Sequence, residues 1–239
     1  MIDAAVTTGG SFLLSGNLTI TSDQEFKIPP GVTLDLDLSG NSLDVGGNNF
    51  IVEDTLALTN GTMNSPSAAL KNYGNATLTD VVVNSGSPSD YGMISYAGST
   101  TTYNNVNLNS GGGAVGAVGA NCTVVFNSGS IDVDSTSTAG RYLFYVVDGA
   151  SVTISGGDFA FSSTHNQKRA YAYVDANSSL YIKGGAFGPA STRSGYTAGI
   201  LGDGEIVITG GTFGFDPSAW VKEGYSAVKS DKQWIVSAN

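Results

Sequence analysis

Two aspartate pairs, Asp35/Asp37 and Asp132/Asp134, have the i, i+2 spacing that puts both carboxylates on one face of a β-strand. Paired carboxylates can divide the acid and base roles of glycoside hydrolysis, and clustered ones can hold calcium beside an acidic polysaccharide. Either reaction also needs a cleft. Asp35 and Asp37 fall where connecting segments are short and no cleft is expected. Asp132 and Asp134 are better placed, with Arg141 and His165 following in longer segments. His165 is the only histidine, with no second His or Cys to share a metal, and one loop histidine does not make a Ser-His-Asp triad. No catalytic, metal-binding or cofactor-binding residue is assigned, and a non-enzymatic chain is expected.

A second chemistry is suggested by "ISGGDF" at 154–159, "IKGGAF" at 182–187 and "ITGGTF" at 208–213. A glycine-rich loop cradles phosphate only when a helix and a Lys follow, and neither does here. The three segments are members of a repeat. Ile154, Ile182 and Ile208 continue backwards as Phe126, Tyr103, Leu78, Leu58, Leu38 and Leu13, and apolar residues two places earlier give the period of a half-buried strand. Five places after each anchor stands a second apolar column, Leu18, Leu43, Met63, Val83, Leu108, Ile131, Phe159, Phe187 and Phe213. Between the columns lie Ser15, Gly40, Asn60, Asp80, Asn105, Ser128, Gly156, Gly184 and Gly210, all residues that tolerate a turn or a left-handed backbone. The glycines are therefore read as corners.

A helix-free repeat of 20–28 residues, by subtraction of the anchor numbers, predicts stacked parallel coils. The fold class is all-β, a parallel β-helix (solenoid) of about nine coils. The chain is read as one domain: residues 1–10 cover the N-terminal end, 11–213 form the coils and 214–239 form a C-terminal helix-hairpin cap. The cap rests on Asp216 and Pro217 as helix start signals, a hairpin turning near Ser230-Asp231, and Trp220 and Trp234 packed as a lid. Cys122, the only cysteine, shares the inward register of Val124 and Phe126 and reads as a buried structural thiol.

The opening "GGSFLLSGNLTITSDQEFKIPPGVTLDLDLSGNSLDV" resembles the first coils of the pectin-lyase-like right-handed parallel β-helix superfamily. The ending "GGTFGFDPSAWVKEGYSAVKSDKQWIV" resembles a terminal segment of β-helix proteins of gut bacteria and their phages. The resemblance implies a right-handed coil and, through phage fibres and spikes, a homotrimer on a virion. Its motifs are architectural, and the catalytic motifs of its enzymes cannot be matched residue by residue.

Four insertions, at 84–93, 132–144, 160–171 and 188–198, recur at one point of successive coils and are expected side by side. They hold all three arginines and define a candidate binding face of Tyr91, Arg141, Tyr142, His165, Lys168, Arg169, Tyr171, Arg193 and Tyr196. The net charge of −10 disfavours nucleic acid and anionic membranes as partners. No apolar run approaches the ~18 residues of a membrane span, and the basic and apolar stretches of a secretory signal are not seen after Met1. The expectation is a structural or display protein of a bacteriophage virion, a capsid decoration or head-fibre protein binding a capsid partner. A tailspike-like or adhesin-like module that binds host surface glycans is the alternative, and a polysaccharide lyase or glycosidase the second. A virion location is expected, with an extracellular or bacterial-surface one as its alternative.

Overall fold

The computed structural model describes residues 7–20, 26–47, 49–86, 90–134, 141–162, 169–189 and 197–239. Its strands stack in parallel as three faces of a tube. The first face is built by Gly10–Leu13, Thr33–Asp37, Thr100–Asn104, Thr123–Phe126, Ser151–Ile154, Ser179–Ile182 and Glu205–Ile208, together with the first halves of Thr55–Ser65 and Asn75–Ser85. Those two 11-residue strands continue without a break around the corner into the second face. The third face is an eight-stranded parallel sheet running from Phe26–Ile28 to Thr197–Leu201. Ser151–Ile154 pairs parallel with Ser179–Ile182, as a solenoid demands and a sandwich does not.

Eight strands on the third face bound seven intervals, so the tube makes about seven turns, not nine coils. The larger count came from apolar columns. A column residue marks a rung, whereas a turn needs a complete circuit back to the same face, and the outermost rungs do not close one.

The second-face column is the one read from the sequence. Leu18, Leu43, Met63, Val83, Leu108, Ile131, Phe159, Phe187 and Phe213 follow one another in register. The first-face column is displaced at its start. Phe12 pairs with Leu36 and Leu36 with Leu58, so Leu13 and Leu38 are not anchors and Leu13 lies 66% exposed. "TLDLDL" offers apolar residues at 34, 36 and 38, a run in which a two-residue slip preserves the alternation.

The Gly-Gly corners use their two glycines for different reasons. The second of each pair takes the left-handed backbone, φ +114° at Gly157, +105° at Gly185 and +117° at Gly211. The first, expected to be the left-handed one, meets the neighbouring coil instead. A Cβ on Gly184 would lie 2.5 Å from the Ser155 carbonyl oxygen, and one on Gly210 2.4 Å from that of Lys183. In earlier coils the same corner is turned by a single left-handed Asn60, Asp80 or Asn105.

At the C-terminus the helix-hairpin cap is not formed as expected. One 3-10 turn of three residues, Ser218–Trp220, stands where the helix was read, and none of its residues is buried. The Asp216 carboxylate accepts both the backbone N–H and the hydroxyl of Ser218, which satisfies the donors locally without nucleating a longer helix. Tyr225–Ser230 and Gln233–Ala238 form a hairpin, and its second strand adds antiparallel to Gly211–Gly214. Trp220 and Trp234 are half-buried against the core. Cys122 is fully buried, and that burial pushes its thiol pKa up.

Candidate functional site

The carboxylate pairs are on outward faces, and Asp35, Asp37 and Asp132 are drawn into structural bonds. Asp35 accepts from the Ser11 hydroxyl at 3.2 Å, and Asp37 accepts from the Ser39 N–H at 2.8 Å and the Asn60 amide at 3.2 Å. Asp132 accepts from the Ser162 N–H at 2.9 Å. Asp132 and Asp134 line one end of a polar groove of about 550 Å3 that runs across the coils to Asp44, walled by Asn64, Asn84 and Asn109. Asn109 donates to Asn84 and Asn84 to Asn64, each at 2.8 Å, and Asn64 donates to Asp44. These amides act as ties between coils.

The third face carries a different arrangement. Met93, Val115, Phe144, Ala172 and Ile200 form its inward row. The adjoining outward row is Ile94, Gly116, Tyr145, Tyr173 and Leu201. Tyr145 and Tyr173 are register neighbours with ring centroids 5.6 Å apart and planes 20° from parallel. Tyr142 joins them at 5.9 Å from Tyr145 and 5.5 Å from Tyr173. Tyr91 completes the cluster from two coils away, 5.3 Å from Tyr145. It reaches because Gly113 and Gly116 occupy the coil between, and a Cβ on Gly113 would lie 2.2 Å from the Tyr91 ring. All four tyrosines are half-buried, with ring bodies packed on the sheet. Burial, then the neighbouring Tyr173 phenol and the Asp148 carboxylate, pushes the Tyr145 pKa up. A second pair, Tyr73 and Tyr96, stacks at 4.3 Å near the ends of the shorter third-face strands. Burial, reinforced by Tyr73, raises Tyr96 to about 12.

Of the residues expected to share a binding face, Tyr91 and Tyr142 are brought together, with Tyr145 between them. Tyr171 is not on that face. It is 2% exposed, its ring is stacked on Phe215 at 5.5 Å, and its hydroxyl donates to the Gly188 carbonyl at 2.7 Å. Arg169 is 5% exposed, with its guanidinium 5.6 Å from the Phe161 ring centroid. Desolvation lowers its pKa, partly opposed by Asp134. Both corrections have one cause. The segments expected as loops run into the strands Arg141–Val147 and Arg169–Val174, in which consecutive residues are buried, Leu143 with Phe144 and Tyr171 with Ala172. Arg141 pairs through its backbone with Arg169. His165, Lys168, Arg193 and Tyr196 lie outside the described residues.

No protein-family model, curated protein or solved structure matches this chain. The case for a site therefore rests on its geometry. Tyr145 and Tyr173 were missed, although their 28-residue separation equals the spacing from Ile154 to Ile182 and marks them as one column.

Proposed function

We propose that this chain is a non-enzymatic, rod-like display module that binds glycans through the tyrosine cluster of its third face. The observation that carries the reading is the array of Tyr91, Tyr142, Tyr145 and Tyr173 on one face. Tyr145 and Tyr173 are near-parallel on adjacent coils, Tyr142 lies beside Tyr145 on the same strand, and Tyr91 reaches Tyr145 across the glycine coil between them. Tyrosine offers an apolar ring for the apolar side of a sugar and a hydroxyl for its polar edge, at low conformational cost because the rings are already packed. The coils rise by ~4.8 Å, close to the length of one sugar unit, so successive rungs can meet successive units of an extended glycan. A virion surface is the proposed setting, with the module displayed as a homotrimer on a capsid. It accords with the acidic, polar composition.

The test is a glycan-array screen followed by calorimetric titration of the best neutral oligosaccharide. Tyr145→Ala and Tyr173→Ala are each expected to weaken binding about tenfold, equivalent to ~1.4 kcal/mol. Binding unchanged by both substitutions would reject the face. The non-enzymatic reading is checked by incubating the chain with pectate, alginate, hyaluronan and bacterial capsule, with and without calcium. No unsaturated or reducing ends are expected, and turnover lost in Asp132→Ala or Asp134→Ala would overturn it.

A further inference from the structure

At the C-terminal end of the first face, a pocket of about 310 Å3 is lined by Tyr181, Lys183, Glu205, Val207, Thr209 and Lys222. Its floor is three rungs of the solenoid. Ile182 pairs with Ile208 and Ile208 with Val221. The backbone N–H groups of Thr209 and Lys222 donate to the carbonyls of Ile182 and Ile208. Lys183, Thr209 and Lys222 therefore form one outward row, with the lysine backbones about 10 Å apart at two rung spacings and the threonine between them. The next row along the strands is Tyr181 and Val207, and the row beyond contains Glu205. Strand geometry sets the lysine and glutamate rows about 13 Å apart at the backbone. The Tyr181 hydroxyl donates to Glu205 Oε2 at 2.6 Å and fixes that carboxylate on the far side of the ring.

The charges in this pocket are unusual for the molecule. The chain has 20 acidic residues against 10 basic ones, yet among the described residues neither Lys183 nor Lys222 forms an ion pair. The one carboxylate lining the pocket is engaged by a phenol instead. Two ammonium groups, a hydroxyl, an apolar strip and a carboxylate thus follow one another in a fixed order.

We propose that this pocket binds an anionic disaccharide unit in one orientation. Its sulfate or carboxylate lies between Lys183 and Lys222 and accepts from the Thr209 hydroxyl. Its apolar sugar face rests on Tyr181 and Val207, and its far hydroxyls donate to Glu205. Paired ammonium groups make charge-assisted hydrogen bonds that a neutral sugar cannot, so the pocket discriminates by charge. The inference rests on the glycan-binding reading and gives it an anionic subsite away from the tyrosines.

The experiment is an NMR titration of the isotopically labelled full chain with lactose, lactose monosulfate and a uronyl disaccharide. At least one anionic sugar is expected to shift the Thr209 and Lys222 amides, at least tenfold more tightly than lactose, and added salt should weaken it. The sulfate and carboxylate arms identify the group preferred. Combined Lys183→Gln and Lys222→Gln is expected to cost at least tenfold in affinity, while Lys183→Arg with Lys222→Arg retains binding. Tyr145→Ala should leave these shifts intact, so loss of the tyrosine face and loss of this pocket read out separately. Equal affinity for lactose and both anionic sugars, binding indifferent to the glutamine pair, or no shift at these amides would overturn the proposal.

Discussion

The early and late coils solve one problem, keeping identical strands in register, by different means. In the early coils the third-face strands are three residues long at Phe26–Ile28, Phe50–Val52 and Leu70–Asn72. The tube is narrow there, and Leu, Val, Ile and Met side chains fill most of it, with a single aromatic pair, Phe26 and Phe50. Asparagine side chains tie the outer surface, Asn60 to Asp37, Asn84 to Asn64 and Asn105 to Asp80. In the late coils the same face lengthens to seven residues in Arg141–Val147 and six in Arg169–Val174. The wider section takes aromatic filling. Phe126, Phe159, Phe187 and Phe213 form a continuous pile with centroid separations of 5.4, 4.6 and 4.9 Å, and Gly-Gly corners let the coils close together around it. Cross-section thus selects the lock. A narrow tube has its spare hydrogen-bonding capacity outside, and a wide one must gain specificity from the shape of its interior.

The comparison can be broken most forcefully in the late coils. Phe187→Ala removes the ring between Phe159 and Phe213 and is expected to cost about 3–5 kcal/mol in chemical denaturation. A loss below 1 kcal/mol would mean that the pile does not hold this region. Next come the corners. Gly185→Ala forces a side chain into a left-handed backbone at about 1–2 kcal/mol, and Gly184→Val is expected to cost at least about 1 kcal/mol by collision with the Ser155 carbonyl. If Gly184→Val were silent in thermal melts, the close approach would not matter.

In the early coils the lock is divided among many weak bonds. Asn84→Ala breaks one bond given and one received, for about 1–2 kcal/mol in urea titration. A larger loss than Phe187→Ala would invert the comparison. The smallest effect is expected at their junction. Tyr103 is 1% exposed, its hydroxyl has no hydrogen-bond partner among the described residues, and burial pushes its pKa far up. Tyr103→Phe should change stability by less than about 0.5 kcal/mol or raise it, because the group removed is unsatisfied. A clear destabilisation would reveal a bond at that hydroxyl.

Much of this contrast was legible in the sequence. The second-face column could be read in full because each of its members is apolar and is preceded by a small or polar corner residue. The first-face start was ambiguous, since Leu34, Leu36 and Leu38 satisfy the same alternation in more than one register. The starts of the later third-face strands fell inside segments read as loop insertions, because adjacent residues are buried there together, Leu143 with Phe144 and Tyr171 with Ala172, leaving no clean period. That is why Arg169 and Tyr171 were assigned outward and Tyr145 and Tyr173 were overlooked. Sequence also identified the glycine corners without identifying which glycine bends. Chain direction and neighbour approach are three-dimensional quantities, and a Gly-Gly pair hides both.

The asparagine row along the polar groove also has a direction. Asn109 gives its amide proton to Asn84, Asn84 to Asn64 and Asn64 to Asp44, so every donor faces the coil made before it. Such a row gives the stack a polarity. Each completed coil presents a waiting acceptor to the segment that emerges next, and the carboxylate of Asp44 starts the series with an acceptor that needs no donor of its own. During synthesis from the N-terminus, the narrow half can therefore wind as it appears, rung on rung, before the wide aromatic half exists to be filled.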